Sequence, residues 1–256
     1  MQLFASHSSV AFALLTLTSS LHAATNQTRA FETRLSYEIR KLGGKVFTNQ
    51  SGGQIIEINL NGHSAIRREL FDRIGKLEHL TDLSLEKTPF DDDNAHSLAT
   101  MKRLEWLNIY RSNVGDKGLQ SLARIRSLKH LPIGGNRITD TGLKHLSKAV
   151  QLKYLGLRDT AVTDGGLAHL TGLTNLTGLH LGETKVTDEG LRHLQSLVRL
   201  QKLWLHNTAV TDDGIMQLRG LKQLRQLIVY ETKVSAKGHA RLQRELPDCL
   251  ILYRIE

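Results

Sequence analysis

Residues 152–173 read LKYLGLRDTAVTDGGLAHLTGL, and the same pattern returns as LTGLHLGETKVTDEGLRHLQSL from Leu176 and LQKLWLHNTAVTDDGIMQLRGL from Leu200. The interval is 24 residues, and one polar position marks it along the chain: Thr88, Ser112, Asn136, Thr160, Thr184, Thr208 and Thr232. A single globular core has no need of a fixed interval, whereas a stack of identical units does. Six copies run without a gap, with a degenerate copy at each end.

Within each copy the leucines of LxxLxL alternate with variable residues. This is the period-two signature of a strand that buries one face and shows the other. A Thr-Asp pair follows at 163–164, 187–188 and 211–212, and both residue types serve as helix N-caps by accepting free backbone N–H groups. Leucines or isoleucine three apart (Leu167 and Leu170, Leu191 and Leu194, Ile215 and Leu218) then give the buried stripe of a helix. One helical position is always glycine, from Gly118 through Gly142, Gly166, Gly190 and Gly214 to Gly238. Glycine weakens a helix by about 1 kcal/mol relative to alanine. The row is therefore expected to let each helix lie close against its neighbour.

The pattern LxxLxLxxTxVTDxGLxxL resembles the leucine-rich repeat, over roughly Ile55 to Tyr253. It is similar to the variety common in bacterial exported and cell-surface proteins, and more distantly to the repeats of F-box proteins and ribonuclease inhibitor. No F-box-like helical module precedes the repeats. The resemblance implies an α/β solenoid, a horseshoe with a parallel concave β-sheet and convex helices in about seven to eight repeats.

The expected organisation is a signal peptide over 1–24, an N-terminal cap over 25–54, repeats over 55–246 and a C-terminal cap strand over 247–256. The leader has an apolar run from Val10 to Leu17 and small residues near Ala23, but no basic segment before it. Export to a periplasmic, cell-surface or secreted location follows from it, with no membrane span once it is removed. Helical spacing of Phe31, Leu35, Ile39 and Leu42, stopped by Gly43-Gly44, makes the first cap. At the other end Ala236 replaces the aspartate and His239 the core leucine, as a terminal unit allows. Cys249 is the only cysteine, which excludes an intramolecular disulfide and points to a buried thiol.

The net charge of +9 invites a polyanion reading, but many of the cations fall in helices and helix-to-strand turns, so a solubility role explains them first. No specific nucleic-acid motif is present. Catalytic motifs are missing as well: there is no HExxH, GxSxG, Walker loop or cysteine pair. The chain is expected to be no enzyme, to have no catalytic residues and to take no cofactor or metal. His145, His169 and His193 hold one helical position in consecutive repeats, but helices 8–10 Å apart keep such rings from converging on an ion. The concave carboxylates Asp82, Glu86, Asp159 and Glu183 are expected to be solvated or paired with neighbours such as Lys87, Arg111 and Arg158.

The outward strand positions collect both tryptophans and three of the five tyrosines, and exposed aromatics are enriched at binding hot spots. Glycines lie among them, and a strand glycine often marks close approach by a ligand. The expectation is a trough with Trp106, Tyr110 and Tyr154 as one wall and Trp204, His206 and Tyr230 as the other. Gly156 and Gly182 belong to its floor, and His180 and Arg158 offer polar contacts. The function expected is recognition of a protein or peptide on this face, with a cell-envelope carbohydrate or acidic polymer as the alternative ligand.

Overall fold

The computed structural model describes residues 25–50 and 52–254. The expected signal peptide, 1–24, lies outside the described residues. A helix over 25–41 (α1) leads into β1 (Lys45–Thr48), which pairs antiparallel with β2 (Ile55–Asn59). Eight further strands follow in parallel: β3 (Asp82–Ser84), β4 (Trp106–Asn108), β5 (His130–Pro132), β6 (Tyr154–Gly156), β7 (Gly178–His180), β8 (Lys202–Trp204), β9 (Gln226–Ile228) and β10 (Leu250–Leu252). Their order in the sheet is their order in the chain, so each crossover is one repeat.

Eight helices alternate with these strands: α2 (Arg68–Ile74), α3 (Asp92–Leu98), α4 (Asp116–Leu122), α5 (Asp140–Leu146), α6 (Asp164–Leu167), α7 (Asp188–Leu191), α8 (Asp212–Met216) and α9 (Ala236–Glu245). The last turns after α6, α7 and α8 tighten into 3-10 geometry. The architecture is the α/β solenoid of the sequence pattern. Leu155, Leu179, Leu203 and Leu227 stand in register across β6 to β9 and are fully buried.

Two polar ladders run along the stack, and the second fixes the repeat-to-repeat spacing. In the first, the marker threonines turn back on a carbonyl of their own repeat: Thr160 Oγ1 donates to Leu157 O at 2.7 Å, Thr184 to Leu181 O at 2.6 Å and Thr208 to Leu205 O at 2.6 Å. All three are buried, so the bond satisfies a carbonyl that water cannot reach.

The second ladder corrects the reading of the Thr-Asp pair and shows what the glycine row makes room for. Thr163, Thr187 and Thr211 alone are the N-caps, each accepting an N–H two residues on. The aspartate that follows reaches sideways to the next repeat. Asp164 accepts Thr187 N at 2.7 Å and Thr187 Oγ1 at 2.6 Å, and Asp188 accepts Thr211 N at 2.8 Å and Thr211 Oγ1 at 2.5 Å. Each carboxylate lies where the glycine of the next helix would carry a Cβ: 2.4 Å from it at Gly190, 1.9 Å at Gly214 and 2.0 Å at Gly238. The glycines let each helix lie close against its neighbour, as the sequence predicts, and the group that fills the space is the neighbour's aspartate. Asp212 holds Ser235 as the last rung, and Ala236 stands where a further aspartate would have no repeat to reach.

The caps close both ends by packing. Glu32 of α1, 4% exposed, accepts Ile55 N at 2.6 Å and so ties the helix to the sheet. At the other end His239 stacks on Tyr253 at 4.3 Å, and Cys249 is buried, with its thiol pushed up to about 11 by burial.

Candidate functional site on the concave sheet

The strands are short, and the chain leaves each of them through a residue in the left-handed region. Lys87, Arg111, Gly135, Asp159, Glu183, Asn207 and Glu231 occupy the same repeat position with φ between 50° and 65°. Six of the seven carry a side chain in a conformation that costs roughly 1–2 kcal/mol. The backbone gains one more rung for it, because Asp159 N donates to Gly182 O at 3.1 Å and Glu183 N to His206 O at 2.9 Å. This turn brings charged side chains to the margin of the concave face. Sequence reading missed the row, since Gly135, Asp159 and Asn207 have residue types that mark such a backbone but Lys87, Arg111, Glu183 and Glu231 do not.

On the face itself the rings gather at one end. His180 stacks on Trp204 with centroids 5.3 Å apart and planes 10° apart, and His206 stacks on Tyr230 at 4.9 Å and 16°. The two stacks meet where His180 lies edge-on to His206 at 5.2 Å. Tyr154 joins edge-on to Trp204 at 6.3 Å.

The two-walled trough is therefore not formed: Tyr154, given to one wall, touches Trp204 of the other. Its glycine floor is covered as well. A Cβ on Gly182 would fall 2.5 Å from the His206 ring, one on Gly178 2.9 Å from the Tyr154 ring, and one on Gly156 3.1 Å from the Tyr154 hydroxyl. The rings of adjacent repeats lean into the space the glycines leave. Trp106 and Tyr110 stand apart towards the N-terminal half. Trp106 stacks with no other ring among the described residues, while Tyr110 lies over Gly134 and beneath the Arg111 guanidinium, 5.4 Å from its centroid.

The polar groups beside the rings are paired. Arg158 gives Nε at 3.0 Å and a terminal nitrogen at 2.5 Å to one oxygen of Glu183, and this bond holds the Glu183 carboxyl below its ordinary range. Glu86 meets Lys87 at 3.6 Å and Asp159 meets Arg111 at 3.9 Å, the partners the sequence named. Burial first, then His206 and Arg158, pushes His180 down to about 4. Burial and Arg158 also lower His206, so both imidazoles are neutral at pH 7. His206 is 6% exposed and its Nδ1 has no hydrogen-bond partner among the described residues. Among those residues no three His, Cys, Asp or Glu side chains are arranged to hold a metal ion.

Comparison with known proteins agrees with the architecture. A family model described as Leucine Rich repeat matches residues 124–147 and 172–197. No curated protein matches. Among solved structures, an internalin C2 from Listeria monocytogenes superposes with a TM-score of 0.62 at 23% identity, over 77% of this chain and 80% of that one. A second internalin from the same organism gives 0.53 at 16% identity, over 91% of each chain. The ectodomain of the plant membrane receptor kinase GASSHO1/SCHENGEN3 from Arabidopsis thaliana, solved in complex with Casparian strip integrity factor 2, gives 0.55 at 17%, over 82% of this chain and 25% of that one. No described helix is long and apolar enough to cross a membrane. With its 24-residue period, its parallel ladder of leucines and these matches, the chain has the leucine-rich repeat fold.

Proposed function

We propose that this protein is a non-catalytic scaffold that recognises a protein or peptide through the C-terminal half of its concave sheet. The observation that carries the reading is the continuous ring cluster of Tyr154, His180, Trp204, His206 and Tyr230, bordered by the Arg158–Glu183 pair. Large preorganised side chains lose little entropy on binding, which is why such clusters act as hot spots. Trp106 and Tyr110 form a second, separate contact area in this proposal.

The stacking favours a peptide over a sugar. A pyranose docks by laying its C–H face on an aromatic face, and here one face each of Trp204 and Tyr230 is taken by a histidine. With one face of each ring already covered, less flat surface is left for a sugar, and the margin of charged groups suits backbone carbonyls and side chains. Export to the cell envelope or beyond belongs to the same proposal, on the strength of the apolar leader. Mass spectrometry of the native amino terminus tests it, and an intact Met1 would reject it.

Parallel peptide and glycan arrays test the ligand class. The expected result is a peptide hit whose affinity Trp204→Ala lowers about 30-fold, the 2 kcal/mol that defines a hot spot. Glycan hits alone, lost in the same variant, would replace the peptide reading with the carbohydrate one.

A further inference from the structure

The solenoid has two long edges, and their charges are opposite. Along one edge lie the helix N-termini with their row of aspartates. Along the other lie the helix-to-strand turns, and over residues 75–80, 99–105, 123–129 and 147–153 these hold eight lysines and arginines against two glutamates. Lys102, Arg103, Arg124, Arg126, Lys148 and Lys153 are all exposed, and none has a side-chain hydrogen bond or ion pair among the described residues. The basic turn at 219–225 differs, because Lys222 and Arg225 donate to the carbonyls of Glu245 and Lys222 at 2.9 and 3.0 Å.

Helix dipoles do not account for this density. Cations do stabilise a helix C-terminus, yet the turn at 171–177 follows a helix of the same kind and has no charge at all. At the N-terminal end of the edge a cavity of about 460 Å³ opens between the first two turns, lined by Lys76, Glu78, His79, Lys102 and Arg103. His79 Nδ1 is buried beside it with no hydrogen-bond partner among the described residues. Three cations, Lys76, Lys102 and Arg103, line the cavity against one carboxylate, Glu78.

We propose that this edge binds a linear polyanion bearing repeated phosphate or carboxylate groups, laid across four consecutive turns with one acidic group seated in the cavity at Lys76, Lys102 and Arg103. Adjacent strands are about 4.8 Å apart, so the turns present their cations at short, regular intervals. These four turns contain no Phe, Tyr or Trp, and without aromatic platforms single-stranded nucleic acid is disfavoured. The surface is distinct from the concave ring cluster, and neither reading depends on the other.

The test is titration of the full protein with inorganic polyphosphate and with polygalacturonate, whose relative affinities identify the acidic group. K102E/R126E/K148E and the milder K102Q/R126Q/K148Q are compared with K185E/K233E/K237E, which changes net charge as much as the first but on the opposite edge. At about 50 mM salt at least one polymer binds, and the edge reversal weakens it at least tenfold. The slope of log affinity against log salt falls by about one per cation removed. The control reversal costs less than twofold. Equal losses in both sets would show that only net charge matters and would overturn the proposal. So would absence of binding to either polymer, or tighter binding of duplex DNA than of both.

Discussion

Gly214→Ala separates the aspartate ladder from ordinary helix propensity. Propensity alone makes alanine better at a helical position by about 1 kcal/mol. In the structure the new Cβ would sit 1.9 Å from Asp188 Oδ1 and 2.6 Å from its Cγ, and a displacement of at least an ångström is needed to relieve that. The carboxylate cannot move so far and keep Thr211 N at 2.8 Å and Thr211 Oγ1 at 2.5 Å. Hydrogen bonds to a charged group contribute about 1.5–3 kcal/mol each, and partial exposure puts these at the low end, so about 3 kcal/mol is lost against 1 gained. Gly214→Ala should destabilise the protein by about 2 kcal/mol in urea denaturation. With Asp188→Ala as background the carboxylate is gone and only its Cβ remains, 3.1 Å from the new one, so the penalty of about 2 kcal/mol should disappear. A wild-type background that tolerates Gly214→Ala, or equal effects in both backgrounds, would refute the reasoning.

Three further outcomes follow from the geometry. Leu179 is fully buried in the centre of the ladder, so Leu179→Ala should cost about 2–5 kcal/mol while His169→Ala, on a half-exposed helical face, should change little; equilibrium denaturation of the pair would expose a wrong inside–outside assignment. Glu231 is exposed at φ 54°, and Glu231→Gly should raise stability by about 1 kcal/mol, seen as a higher melting temperature. His180 titrates at about 4 in the fold and 6.5 when unperturbed, so the unfolded chain takes the proton first. Its contribution is complete above about pH 6.5 and fades as pH falls towards 4, by at most roughly 3 kcal/mol. Urea midpoints should therefore drop more steeply over that window in the wild type than in His180→Gln, and parallel curves would count against it.

The sequence by itself determined the repeat, the strand and helix of each unit, and which leucines point inward. A stack repeats one local problem, so period and alternation record its solution in every copy: Leu131, Leu155 and Leu179 could be placed without knowing what lay beside them. The charge pairings at Glu86, Asp159 and Glu183 were legible because acids and the bases Lys87, Arg111 and Arg158 collect together where the strands end. What needed the tertiary structure was every interaction between repeats whose direction the period does not give. Nothing in the string TD shows that Thr187 caps its own helix while Asp188 crosses to Thr211, or that Gly214 is small for the sake of that carboxylate. The left-handed row was hidden because lysine, arginine and glutamate occupy it. The ring cluster was hidden because Tyr154 and His206 lean across adjacent strands, Tyr154 over Gly178 and His206 over Gly182, where the sequence alone predicts open floor. Side-chain direction depends on the space a neighbour leaves, and only the packed sheet defines that space.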